Sequence, residues 1–502
     1  MNIRRSHRFV SSTVLDHNIR LIDLSSTSHC VIMAPRDRVI FSSVLFAASV
    51  AAMTLSMAAP EKNGQVSSRG ASNLAPPMDY LEAFYACLED PCDPISNPRG
   101  HIPVAVAENR LVIDLLQQRL ATLQAAQAGF DEVDVYSYND PRGLPIIRQS
   151  IASFFEERFL KQPTGSINPN HVAVGAGATN ILSNIFFAMG SPGDVVLIPA
   201  PYYAAFDNDA RTFADCRVVP VICQDPTKGP SVHDLENAKV EAEEAGLNVR
   251  FLLLTNPHNP LGVVYSPQVV KDAIGWARSH SMDTVMDEIY GCSVFGQKEE
   301  FKSILELYNN DLGNDLHLVW GFSKDFGASG FRMGVLYTQN EVLMAAIGNL
   351  IAFAWVPLPM QRIMADLLND KHWVDSFLQH SCQRLKKSYT ICTKVLDEMN
   401  VPYVKATSAM FLYLDLSDII KTEQEEAIMS QIFFKRARMV LTPGTTQHDS
   451  QPGKFRICYA YVSPEVLKIG MERFRKVVTT IREKGGLRFS IQDDHHWEGV
   501  IV

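Results

Sequence analysis

From His171 to Trp320, short apolar runs alternate with stretches of helical periodicity, and this rhythm restricts what the chain can fold into. His171–Val174, Asp194–Ile198, Arg250–Leu254, Thr284–Met286 and Leu316–Trp320 read as strands. Thr179–Met189 and Pro267–His280 read as helices between them, and Leu144–Leu160 as an amphipathic helix ahead of them. Strands separated by helical crossovers pair in parallel. A parallel sheet needs helices on both faces. The expected fold class is therefore α/β, a three-layer α/β/α domain around a mostly parallel sheet. Near residue 373 the order changes to a long helix (Trp373–Met399), a strand (Tyr413–Leu416), a helix (Glu423–Met439), a strand (Phe455–Tyr461) and a last helix (Pro464–Lys484). That order predicts a smaller α+β domain. The expected boundaries are an extension over 1–66, an arm and part of the small domain over 67–135, a large domain over 136–372, the small domain over 373–486 and a tail over 487–502.

Open parallel sheets place ligands beyond the carboxyl ends of their strands, so residues at those ends carry the functional signal. The run Gly321-Phe-Ser-Lys-Asp-Phe-Gly-Ala-Ser-Gly-Phe-Arg332 follows one strand. Lys324, after Ser323, can form a Schiff base with a carbonyl cofactor. Arg332 can hold that cofactor's phosphate with two parallel donors. Asp287-Glu-Ile-Tyr290 follows another strand, and a carboxylate there suits a protonated pyridine nitrogen. Asn259, in Asn256-Pro-His-Asn-Pro-Leu-Gly262, can donate to a ring oxygen, and Tyr290 can reach the same atom. Gly175-Ala-Gly-Ala-Thr179 opens a helix, where Ala178 and Thr179 can meet a phosphate. Tyr203, in Pro201-Tyr-Tyr203, can stack on a flat heterocycle. Arg456 leads an apolar strand and matches a substrate carboxylate. Each of these also has a structural reading: a rigid turn, a helix cap at Asp287, a core tyrosine, a bare glycine turn, a surface strand arginine. It is their common placement at predicted strand ends that points to pyridoxal phosphate as cofactor.

Composition narrows the alternatives. The chain is 46% hydrophobic and 20% charged over 502 residues, enough for a large core. Its net charge of −9 and lack of a polybasic run argue against a nucleic-acid partner. The nine cysteines are odd in number and scattered, with no Cys-x-x-Cys pair, and read as thiols in a reducing, cytoplasmic compartment. His495-His496 reads as a solvated tail. The stretch 39–59 is uncharged and mostly apolar. Its length suits a bilayer span, or a signal segment from Met33 with Arg36 and Arg38 as its charged flank. A third reading removes it from the working protein, with Met53 or Met57 as the start. Membrane contact therefore stays open at this level.

From Ser67 to Lys484 the set resembles the fold-type I enzymes of the class I/II aminotransferase family. Asn97-Pro-Arg-Gly-His-Ile102, Ala107-Glu-Asn-Arg-Leu111 and Ser323-Lys-Asp-Phe-Gly327 are similar to the 1-aminocyclopropane-1-carboxylate (ACC) synthase branch. The resemblance implies that Lys324 is the Schiff-base lysine and proton shuttle, and that Asp287 pairs the pyridine nitrogen. It implies that Asn259 and Tyr290 bind the ring oxygen, that Ala178, Thr179 and Arg332 hold the phosphate, that Tyr203 stacks on the ring, and that Ser323 is among the cofactor-binding residues. It gives Arg456 the substrate carboxylate and places Glu108 on the substrate side. Two departures stand out. Gly321 occupies a position where the family carries a phosphate-binding hydroxyl, a hydrogen bond worth ~1.5–3 kcal/mol to a charged acceptor. Pro141 stands where ACC synthases carry a tyrosine; Tyr138 instead has the spacing of ordinary aminotransferases, whose tyrosine reaches the neighbouring subunit's cofactor as a catalytic group. The chain is also similar to fungal aminotransferases and carbon–sulfur lyases of specialised metabolism. Implied together are a homodimer with shared sites and an amino-acid or cysteine-conjugate substrate. The alternatives are ACC formation from S-adenosylmethionine and a catalytically silent protein of the same fold.

Overall fold

The computed structural model describes residues 66–71, 73–74, 78, 80–161, 166–296 and 301–487. The apolar stretch 39–59 and the tail histidines lie outside the described residues. The main sheet has seven strands: β1 (Val172–Gly175), β2 (Val195–Ala200), β3 (Arg217–Ile222), β4 (Val249–Thr255), β5 (Asp283–Asp287), β6 (Leu316–Gly321) and β7 (Gly334–Tyr337). Their order is β1-β7-β6-β5-β4-β2-β3. Strands β2 to β6 pair in parallel, whereas β7 runs antiparallel to both β1 and β6.

The largely apolar character of the central strands follows from burial on both faces. Leu252, Leu254, Met286, Leu318 and Trp320 enter one core, with helix α1 (Pro145–Phe155). Their neighbours Phe251, Leu253, Val285 and Val319 enter the opposite core, with helix α2 (Ala178–Met189). Side chains alternate along a strand, so two covered faces erase the polar positions that a one-sided sheet would show. Two strands escaped the sequence reading. Edge strand β3 is only partly buried and carries Arg217 and Pro220. Strand β7 has four residues and follows directly on the Arg332 turn.

The second lobe joins β8 (Phe411–Asp415), β9 (Thr442–Pro443) and β10 (Lys454–Cys458) in an antiparallel sheet of order β9-β10-β8. Helices α3 (Lys371–Glu398) and α5 (Pro464–Glu483) cover it, and its core also takes in Phe84, Ile102 and Val104. The helix expected over Glu423–Met439 is shorter. Helix α4 (Glu423–Ile432) starts at a capping box of Thr422 and Glu425, and gives way to a wider turn at Phe433–Ala437. Arg438 then turns left-handed at φ 50°, and Met439–Val440 pairs in parallel with Ile102–Pro103. Pairing with the arm takes Met439 out of the helix. Strand β10 ends at Cys458 rather than Tyr461; Ala460 O accepts the Arg110 N–H instead. Among the described residues, no helix is long and apolar enough to cross a membrane, and no His/Cys/Asp/Glu group could hold a metal.

Candidate active site

Three adjacent strands deliver the core of the site. Strand β5 ends at Asp287, which pairs in register with Thr255 at the end of β4 and with Val319 near the end of β6. Asp287 is buried; its Oδ1 accepts the Ile289 N–H at 3.2 Å and its carbonyl accepts the Asn256 N–H at 3.0 Å. Burial pushes its carboxyl up to about 7, against the pull of the Ile289 bond and the Lys324 charge. Beyond β6 a single helical turn, Phe322–Asp325, carries Lys324. The Lys324 Nζ donates to Ala107 O at 2.5 Å. Burial lowers the amine to about 8, with Arg456 and Arg332 adding to the effect and Cys458 and Glu108 opposing it. A lysine neutral this close to physiological pH can act as nucleophile or base.

The turn after β4 presents Asn259, whose Nδ2 lies 3.4 Å from the buried Tyr290 hydroxyl. The Asn259 Oδ1 accepts from Arg456 Nη1 at 2.7 Å. Arg456 is not on the surface. It is fully buried on β10, with Nη2 donating to Ala105 O at 2.5 Å and to Thr442 Oγ1 at 3.1 Å, and its guanidinium 4.6 Å over the Phe411 ring. Its Nε has no hydrogen-bond partner. A buried, unused guanidinium N–H is costly unless something docks there, and a carboxylate is the natural acceptor.

At the other end, α2 begins behind Gly177, which caps it at φ 92°, so Ala178 and Thr179 sit at a helix N-terminus with free N–H groups. Arg332, left-handed at φ 52°, donates from Nη1 to Ser329 O at 3.0 Å and from Nη2 to Ala176 O at 3.4 Å, which hangs its guanidinium over this terminus. Ser323 is buried beside Lys324. Tyr203 is half-buried and edge-on to Phe206, and burial raises its hydroxyl. Glu108 accepts a hydrogen bond from Ser329, on the turn that carries Arg332. Gly321 has a packing cause: it pairs with Gly334, and a Cβ there would stand 3.0 Å from Met333 O and 3.3 Å from Gly334 Cα.

Tyr138 stands apart. It is 94% exposed, its ring parallel to Trp355 at 6.1 Å, and among the described residues no contact joins it to the other site residues. Two residues near the site were missed. Tyr80 opens the arm helix Tyr80–Glu89, is buried, and sits within reach of the Arg456 guanidinium and beside Tyr203. Asp209 is buried against Thr179, and burial with the nearby Asp287 charge raises it well above the carboxylate range. Neither lies in a motif; only the fold of the arm and of the helix after Tyr203 brings them in. A neighbouring cleft of about 420 Å³, lined by Pro201, Leu261, Tyr413 and Lys454, does not include Lys324 or Asp287.

The profile described as aminotransferase class I and II matches residues 113–474. The chain belongs to the class I and II aminotransferase family. It is similar to 1-aminocyclopropane-1-carboxylate synthase 6 of Arabidopsis thaliana, with 30% identity over 416 residues, 81% of this chain and 83% of the relative. The 1-aminocyclopropane-1-carboxylate synthase-like protein 1 of the same plant is 30% identical over 412 residues, 80% of this chain and 83% of that protein. In fold it is similar to an archaeal alanine:glyoxylate aminotransferase, with a TM-score of 0.70 at 18% identity over 82% of this chain and 98% of the other. It is likewise similar to Thermus thermophilus aspartate aminotransferase, with a TM-score of 0.68 at 21% identity over 83% of this chain and all of the other. The protein is a pyridoxal phosphate-dependent enzyme of fold type I.

The residues present fit that cofactor. A flat cationic ring answers the buried Asp287, the ring oxygen answers Asn259 and Tyr290, and the phosphate answers the N–H groups at the start of α2 together with Arg332.

Proposed function

We propose that the protein is an aminotransferase or carbon–sulfur lyase acting on an α-amino acid or a cysteine-type conjugate, as a homodimer with shared active sites. The observation that carries this reading is Arg456, buried on β10 with an unpartnered Nε and linked to the ring-oxygen ligand Asn259. An amino acid's carboxylate on Arg456 would lie in the neighbourhood of Lys324, whose amine feels the Arg456 charge. Pyridoxal phosphate, when bound, supplies an electron sink that eases loss of a proton or a group next to the amino-bearing carbon. Lys324 takes and returns the α-proton. Asp287 keeps the ring nitrogen protonated, and Tyr203 covers the ring face. Asn259 ties ring to substrate, since one amide serves Tyr290 and Arg456 at once. The same residues serve transamination and β-elimination of a thiol.

Pro141, in the turn before Gly143, and the outward Tyr138 favour these reactions over ring closure. The second reading, ACC formation from S-adenosylmethionine, is favoured by the similarity to ACC synthases. A place in fungal specialised metabolism rests on the sequence resemblance alone. Product analysis with three substrate sets separates the readings: an amino acid with a keto acid, a cysteine S-conjugate, and S-adenosylmethionine. We expect an exchanged keto acid or a free thiol with ammonia; ACC as the sole product would overturn the first reading.

A further inference from the structure

Asp325 follows Lys324 directly and is fully buried. Its Oδ2 accepts the Trp320 indole N–H at 3.0 Å and the Cys292 backbone N–H at 3.0 Å, and its Oδ1 accepts the Ser293 hydroxyl at 2.7 Å. These three partners are uncharged. A carboxylate withdrawn from water onto neutral donors is an expensive choice for simple packing, and burial does raise its pKa, to about 6.

The partners come from two places. Trp320 belongs to β6, which leads into the lysine turn. Cys292 and Ser293 follow Tyr290 in the turn that leaves β5 through Asp287. The lysine turn needs outside support: it spans only Phe322–Asp325, and Gly321 gives it no side-chain cap. One turn of helix does not hold itself. Phe322 and Phe326 anchor it in the large core, and the Asp325 carboxylate anchors it toward the Asp287 turn. Lys324 has a flexible four-carbon stem, so the place of its Nζ depends on where this backbone is held.

We propose that Asp325 is a positioning residue, pinning the lysine turn to the segment after Asp287 so that the Lys324 Nζ and the Asp287 carboxyl keep one mutual register. The inference rests on the reading of Lys324 as the residue that joins the cofactor. Reduction of the holoenzyme with borohydride, followed by peptide mass spectrometry, tests both. The readout is the yield of cofactor-labelled Lys324 per cofactor retained before reduction, which a loss of stability alone does not move. A displaced Nζ has a lower effective concentration at the bound carbonyl and condenses with less of it, so Asp325→Asn is expected to lower that yield about fivefold or more, and Ser293→Ala about twofold. If Asp325→Asn does not fold, Ser293→Ala decides. Wild-type yield per bound cofactor in the folded variants overturns the role of Asp325, even where the melting temperature falls. Labelling of another lysine in the wild type, or unchanged labelling in Lys324→Ala, overturns the reading of Lys324 instead.

Discussion

Asp287 ends β5 with its carboxyl shut away from water, and Arg456 ends up equally buried on the other lobe. Each gives a prediction. A carboxyl whose pKa is higher folded than unfolded holds its proton more tightly in the folded chain. Its contribution to stability is full below the ordinary value of 3.8 and is lost as pH rises through about 7. At 1.36 kcal/mol per pK unit that loss is ~4 kcal/mol at most. Cofactor-free wild type should therefore lose more melting temperature than Asp287→Asn between about pH 5 and pH 8. The other buried acids with raised pKa values, Glu288, Asp325 and Asp209, are common to both proteins; Asp209 and Glu288, which the Asp287 charge helps to raise, relax downward in Asp287→Asn and widen the difference in the same direction. Equal slopes would show that Asp287 is not the residue burial has raised. For Arg456 the readout is kinetic. Arg456→Ala removes the proposed carboxylate ligand and frees Asn259 Oδ1, and we expect kcat/KM to fall about a hundredfold or more, mostly through KM. Arg456→Lys keeps the charge but not the planar fork and should recover little; recovery to near wild type would show that charge alone suffices.

At the scale of elements, the closest approach in the phosphate region is between β7 and the start of α2. A Cβ on Gly334 would stand 2.3 Å from Gly177 C and 2.5 Å from Ala178 N. Gly334→Ala must push the helix terminus away from its present position, and we expect cofactor affinity to weaken about tenfold with the α/β fold retained, since an anion there depends on aligned N–H groups. Titration of the apoprotein with pyridoxal phosphate, followed by fluorescence, measures it; unchanged affinity would place the phosphate elsewhere. This contact also marks where sequence reading stops. Strands β4, β5 and β6 were legible because burial on both faces leaves short apolar runs, Phe251–Leu254, Val285–Met286 and Leu318–Trp320. Asp287, Asn259 and Lys324 could be proposed as site residues from sequence because each follows such a run. Strand β7 was not, being four residues long and antiparallel in a sheet whose rhythm predicts parallel neighbours. Gly321 read as a missing phosphate ligand, and only its pairing with Gly334 shows that the space is taken. Tyr80 and Asp209 had no local pattern at all, because their place near Arg456 and Thr179 is set by tertiary packing.

Over the whole molecule, the two lobes meet through groups next to the site. Arg456 bonds Asn259, the Tyr202 N–H bonds Gln447 O at 2.9 Å, and His448 stacks on Tyr202 at 4.5 Å while its Nε2 lies 2.6 Å from Asp207. Elsewhere the same chain leaves Val133, Tyr136, Tyr138 and Phe353 largely in solvent, at 82%, 70%, 94% and 91% exposure. Large apolar side chains gathered on one monomer's surface signal an interface, and in the proposed homodimer this face meets a second copy, with Tyr138 entering the partner's site. The arrangement has a consequence that one subunit cannot mimic. In a mixed dimer of Lys324→Ala and Tyr138→Ala subunits, one site receives both defects and the other receives an intact Lys324 from one chain and an intact Tyr138 from the other. Random re-association makes half of the dimers mixed, each with one whole site, so two preparations that are nearly inactive alone should regain about a quarter of wild-type activity after being unfolded and refolded together. If each site were built within one chain, every subunit would carry its own defect into every dimer and mixing would restore nothing. Activity that stays at the sum of the two parents, in a preparation shown by sedimentation to be dimeric, would therefore remove Tyr138 from the partner's site while leaving the assignments of Lys324 and Arg456 untouched.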